Sequence, residues 1–92
     1  MFRITDGKGF AMKFKNGWGV SVQFGGGNYC SNYDMAIGSE WEKAGSKGSC
    51  DAECAVFDPD GEMVEMEGWG DTVNGWMDSD EVAELIEEVK SL

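Results

Sequence analysis

The chain has no histidine, a single proline, and no lysine or arginine anywhere between Asp51 and Glu88. Without histidine it lacks the side chain best suited to proton transfer near neutral pH and the commonest nitrogen ligand for zinc. No apolar run approaches the roughly twenty residues of a membrane-crossing helix, and no basic-then-apolar leader is seen, so a cytoplasmic protein that does not enter membranes is expected. Cysteine is scarce and odd in number. Cys30, Cys50 and Cys54 fit reduced, buried thiols better than a disulfide framework. A metal site on Cys50 and Cys54 would need Cys30 and a carboxylate to complete it, and that spacing stands alone, so no metal and no cofactor are expected.

What the chain does have is acid. Residues 49–92 hold 14 carboxylates and one cation, Lys90, against four carboxylates and six cations in residues 1–48. Self-repulsion on this scale opposes compaction, so the charge serves either solubility or a positively charged partner. Ninety-two residues suit one domain, 1–92, with a thin core shared by nearly every element. Four Trp and five Phe supply enough apolar area to exclude disorder.

Met1 to Thr5 reads as a short strand, and Asp6-Gly7-Lys8-Gly9 as the turn after it. Phe10, Met12 and Phe14 alternate with Ala11, Lys13 and Lys15; Trp18, Val20, Val22 and Phe24 alternate with Gly19, Ser21 and Gln23. A two-residue Asn16-Gly17 loop would mix the apolar and polar sets of this hairpin. A three-residue Lys15-Asn16-Gly17 loop with Gly17 left-handed instead places Phe14 opposite Trp18, Met12 opposite Val20 and Phe10 opposite Val22. Gly25-Gly26-Gly27 ends the second strand, and an ordered loop continues to Gly48. Ser39 and Glu42 there suit one capped helical turn through Trp41 and Ala44, stopped at Gly45. The glycine run lacks the Gly-Lys-Ser/Thr of a phosphate cradle.

In the second hairpin, Ala52, Cys54 and Val56 alternate with Glu53, Ala55 and Phe57 ahead of Asp58-Pro59-Asp60-Gly61, a type I turn. A three-residue loop pairs Val56 with Val64 and Cys54 with Met66. The other face is then acidic, with Glu53 opposite Glu67, Ala55 opposite Glu65, and Asp51 nearby. Like charges directly across a ladder are destabilising, which suggests that something outside the chain satisfies them. A calcium loop at Asp58 and Asp60 is disfavoured because Gly61 falls at the fourth position rather than the sixth.

Gly68-Trp69-Gly70-Asp71 and Gly75-Trp76 read as turns around a short strand at Val73, with the Trp side chains stapling the sheet to the next element. Asp78 and Glu81 form a capping box for a C-terminal helix. Its Val82, Leu85, Ile86 and Val89 make one apolar stripe, while Asp80, Glu84, Glu87 and Glu88 face outward. Glu84 and Glu88 repel at i, i+4, where a solvated helix usually mixes signs.

The fold expected is α+β: an antiparallel β-sheet of four or five strands built from two hairpins, with the C-terminal amphipathic helix packed on one face. Catalysis is disfavoured, since crowded acids without an apolar pocket or a cationic orienter do not separate into acid and base. Direct nucleic-acid binding is disfavoured because duplex affinity comes mainly from Lys and Arg. The mirror image fits better, with carboxylates spaced like a phosphate row occupying a partner's basic DNA-binding groove. The candidate partner-binding residues are Asp51, Glu53, Glu65 and Glu67 on the sheet, and Asp80, Glu84, Glu87 and Glu88 on the helix of a monomer. Because the helix covers the opposite sheet face, the sequence leaves open whether the two sets form one surface, and any meeting is confined to a sheet edge. The alternative is a small interaction protein that binds a host enzyme through Trp41 and its glycine-rich loop, with acidity for solubility alone.

Two blocks carry a resemblance. Asn16-Gly17-Trp18-Gly19-Val20-Ser21-Val22-Gln23-Phe24-Gly25 with Gly27-Asn28-Tyr29-Cys30-Ser31-Asn32, and Gly70-Asp71-Thr72-Val73-Asn74-Gly75-Trp76 running into Asp80-Glu81-Val82-Ala83-Glu84-Leu85-Ile86, resemble a family of small phage-encoded acidic proteins. In size and charge the chain is similar to anti-CRISPR proteins of the DNA-mimic type. That resemblance implies an inhibitor of a host defence system that blocks DNA binding by a type I CRISPR surveillance complex.

Overall fold

The computed structural model describes residues 1–5, 8–24 and 51–92. The elements run β1 (Phe2–Thr5), β2 (Gly9–Lys13), β3 (Gly19–Gln23), β4 (Asp51–Phe57), β5 (Met63–Val64), β6 (Val73–Asp78) and α1 (Ser79–Lys90). All strand pairs are antiparallel. Spatial order follows sequence order from β1 to β4, and β5 and β6 both pair with the far side of β4. The α+β architecture is the one expected, with six strands rather than four or five. The glycine run, the loop around Trp41, and Cys30 and Cys50 lie outside the described residues.

The first hairpin has the register that apolar alternation demands. Phe10 faces Val22 and Met12 faces Val20. The three-residue loop closes with Phe14 N donating to Trp18 O at 2.8 Å and Gly17 N to Phe14 O at 3.0 Å. Gly17 sits at φ +91°, where a side chain is strained. Gly9 is required for a different reason: a Cβ there would stand 2.1 Å from the carbonyl oxygen of Val22.

One face of the sheet is apolar in cross-strand rows. Phe2, Met12, Val20, Val56 and Val64 form one row, and Ile4, Phe10, Val22 and Cys54 the next. α1 packs there against β3, β4 and β6. Its stripe falls as the 3.6-residue period requires, with Leu85 and Val89 buried and Val82 and Ile86 partly buried against Val20, Val22, Ala52, Cys54, Val56 and Met77. Burying a Val or Leu contributes roughly 1.5–3 kcal/mol each, and of the eight buried core residues five are Val or Leu, so the core is thin. The helix starts at the predicted capping box: Glu81 N donates to Asp78 Oδ1 at 2.8 Å and Asp78 N to Glu81 Oε1 at 3.1 Å.

The second hairpin is partly different from the expectation. Its loop and first pair are as predicted, with Val56 opposite Val64 and Asp58 N donating to Glu62 O at 2.9 Å. β5 then stops after two residues. Cys54 lies opposite Asn74 and Ala55 opposite Val73, so neither Glu53 with Glu67 nor Ala55 with Glu65 forms a pair. Residues 65–72 leave the ladder between Val64 and Val73, turning at Gly68 and Gly70, both at positive φ. The detour avoids two carboxylates face to face and tucks Met66 and Trp69 against the core. β6, a six-residue strand, replaces the short step expected around Val73.

Candidate functional site

The strand order converts the charge asymmetry of the sequence into an asymmetry in space. Among the described residues, β1 to β3 and their turns carry Arg3, Lys8, Lys13 and Lys15 and no carboxylate, whereas β4 to α1 carry every acid. Among the described residues one edge of the sheet is therefore basic and the other acidic; Asp6, between β1 and β2 in the sequence, lies outside them.

On the acidic side α1 is the most regular array. Asp80, Glu84, Glu87 and Glu88 are all exposed. At about 100° per residue they fall within an arc of about 100°, opposite the buried stripe, and span about 12 Å along the axis. The helix dipole favours Asp80 in the first turn and Lys90 in the last. Between described residues the ion pair formed is Lys90 with Glu87, at 3.5 Å and well exposed. Such a pair is worth little.

The sheet acids sit differently from the expectation. Glu65 and Glu67 are exposed, but on the 65–72 detour rather than on a strand face, and Asp71 is exposed beside them. Asp51 and Glu53 are half-buried in β4, each with an interaction of its own. The face opposite α1 is not an acidic sheet: its central row is Arg3, Ala11, Ser21, Ala55 and Val73, with Ala55 buried. One predicted sheet acid, Asp51, is placed at the start of the helix. It lies directly opposite Asp78, the capping residue at which β6 becomes α1, and not opposite one of the predicted helix acids. Local spacing gives no sign of that juxtaposition, because it depends on β6 pairing with β4.

Trp76 also departs from the expectation. Instead of stapling sheet to helix it is 56% exposed, and it is the one described non-glycine residue at positive φ, +58°. Ala52 pairs with Met77 and Cys54 with Asn74, so Gly75 and Trp76 together oppose Glu53 in a bulge. The left-handed conformation costs an ordinary residue roughly 1–2 kcal/mol. A bulky residue kept there, and kept in solvent, marks this edge beside the acidic cluster.

Cys54 is fully buried, and burial, with help from the charge of Glu53, pushes its thiol from 9.0 up to about 12. It is a protonated core residue without nucleophilic character. Among the described residues no cluster of His, Cys, Asp and Glu is arranged to hold a metal ion. Asp58 is occupied otherwise, its Oδ1 accepting from Asp60 N at 2.9 Å and Glu62 N at 3.0 Å. No helix among the described residues is long and apolar enough to cross a membrane. No known family, curated protein or solved structure matches the chain.

Proposed function

We propose that the chain is a stoichiometric inhibitor that presents the acidic side of its fold to the basic DNA-binding groove of a host protein complex. The observation that carries this reading is the outward arc of α1. Its four carboxylates span about 12 Å, a length over which one strand of duplex DNA carries three or four phosphates, at about 3.4 Å each. Charge density, spacing and rigidity thus approximate a short stretch of one DNA strand. Glu65, Glu67 and Asp71 add exposed carboxylates on the 65–72 detour, with Asp51 and Glu53 as half-buried contributors. Such a surface favours a steered, salt-sensitive association that excludes DNA.

The resemblance to small phage-encoded acidic proteins supports host defence as the proposed setting, with an anti-CRISPR acting on a type I surveillance complex as the specific form of the proposal. The test is a duplex-binding assay with a purified type I surveillance complex. The wild-type chain should abolish DNA binding at low salt and lose potency as salt rises, and Glu84→Lys with Glu88→Lys should restore DNA binding. Undiminished DNA binding in the presence of excess wild-type protein overturns the type I assignment. In a host-lysate pull-down, a captured partner indifferent to both salt and competing duplex overturns the mimic altogether.

A further inference from the structure

Among the described residues, the edge of the sheet farthest from the acidic side has its own unfilled capacity. Among the described residues β1 has a strand on one side only. Met1 and Lys13 exchange hydrogen bonds, Lys13 N donating to Met1 O at 2.8 Å and Met1 N to Lys13 O at 3.0 Å. By antiparallel alternation Met1, Arg3 and Thr5 turn their backbone groups towards β2, while Phe2 and Ile4 turn theirs outward. The same two residues carry apolar side chains that remain exposed, 67% for Phe2 and 83% for Ile4, because α1 sits over β3, β4 and β6 instead. Two outward donor–acceptor pairs and two uncovered apolar side chains thus coincide on the same two residues of a four-residue strand.

Charge identifies the occupant. Arg3 projects from the middle of β1 on the opposite face, and a cleft of about 520 Å³ floored by Phe2, Met12 and Phe14 is bordered by Lys13, Lys15 and Lys90. In a chain of net charge −11 this is the cationic end. A second copy of the chain is a poor fit. The register that uses both outward pairs of groups sets Arg3 opposite Arg3, a like-charge pair at the centre of the interface. An acidic residue in that position gains a charge-assisted contact instead.

We propose that the outer edge of β1 docks an extended segment of a partner protein in which apolar and acidic residues alternate. The segment adds a strand to the sheet: its backbone pairs with Phe2 and Ile4, its apolar side chains cover theirs, and its carboxylates meet Arg3 and Lys13. The surface is distinct from the acidic one, so a single molecule engages two partners, or two parts of one partner, at opposite edges.

The probe is a capped peptide, Thr-Val-Glu-Val-Glu-Val-Thr, titrated into the full chain by calorimetry and by amide chemical-shift mapping. Saturable binding that moves the Phe2 and Ile4 amides is the expected result. Arg3→Glu should weaken it about tenfold or more. Ile4→Pro should abolish it while leaving the β1–β2 ladder intact, since the lost N–H is an outward one; Ile4→Ala should weaken it only in part. Peptides with Lys for Glu, or with N-methyl groups on the pairing edge, should not bind, and they keep the test decisive even where a protein variant fails to fold. Absence of saturable binding, or equal binding of the Lys peptide, overturns the proposal. So does association with phosphatidylglycerol vesicles in place of the peptide, or concentration-dependent dimerisation that Ile4→Pro abolishes.

Discussion

The side-chain amide of Asn16 donates to the carbonyl oxygen of Val89 at 3.0 Å, joining the tip of the first hairpin to the end of the helix. The same nitrogen reaches Lys90 O at 3.2 Å and Leu92 O at 3.1 Å, and Asn16 Oδ1 accepts from Trp18 N at 3.0 Å. One residue therefore closes its own turn and donates to backbone oxygens at a helix C-terminus, where Val89 O also accepts from Leu92 N at 3.2 Å. Asn16→Ala should destabilise the fold by about 2 kcal/mol, seen in urea denaturation as a lower midpoint. Asn16→Asp should do at least as much harm, because it replaces the donor with an anion facing carbonyl oxygens.

The junction of β6 and α1 permits a separation of capping from charge. Asp78→Ala loses the capping box and should cost about 1 kcal/mol. Asp78→Ser keeps an acceptor for the Glu81 amide and removes the charge opposite Asp51. Its stability should therefore match or exceed that of the wild type. If the Ser variant is as unstable as the Ala variant, the carboxylate itself is needed there.

Trp76 offers a test of strain retained for a purpose. Glycine adopts its φ of +58° without a Cβ clash, and a half-exposed indole contributes little burial. Trp76→Gly should thus leave stability unchanged or raise it by about 1 kcal/mol. A rise in the thermal midpoint together with loss of partner capture would place Trp76 in the acidic interface. A fall of several kcal/mol in stability would show instead that the side chain packs.

How much of the fold is legible in the sequence depends on how many solutions each segment allows. Phe10, Met12, Val20 and Val22 tolerate one register, since a shift of one residue exposes the whole apolar set, and Asp78 and Glu81 define a cap by their spacing. The second ladder has two candidates. Val64 to Glu67 continue the alternation as well as Val73 to Met77 do, and the repulsion between Glu53 and Glu67 that suggests an outside partner is in the fold a reason for the strand to end. The bulge that turns Trp76 outward and the reach of Asn16 to Val89 depend on tertiary placement, which local spacing does not carry. The helix acids are legible because their face is set by the helix period alone.

Cys54 predicts a pH limit. With its folded value raised from 9.0 to about 12, the folded state holds the thiol proton that the unfolded state releases. The contribution is intact below pH 9 and declines progressively as pH rises from 9 towards 12. Denaturation midpoints should fall across that window in a Cys30→Ser, Cys50→Ser background, and the fall should be smaller when Cys54 is also replaced by Ala. In the same background a thiol reagent at pH 8 should label Cys54 only as fast as the protein unfolds.

The outward arc of α1 is built against its own stability, and reversing one charge should expose the trade. A lysine at position 84 lies four residues from Asp80 and four from Glu88, so Glu84→Lys replaces like-charge contacts with two i, i+4 pairs worth about 0.2–0.5 kcal/mol each. Removing the repulsions as well should give a net rise approaching 1 kcal/mol at low salt, shrinking as salt is added. Binding to a basic groove should weaken in the same variant, since a carboxylate in the centre of the array becomes a cation. A more stable protein with weaker partner binding is the signature of an acidic face maintained for a partner. Greater stability with unchanged binding would instead assign the charge of α1 to solubility.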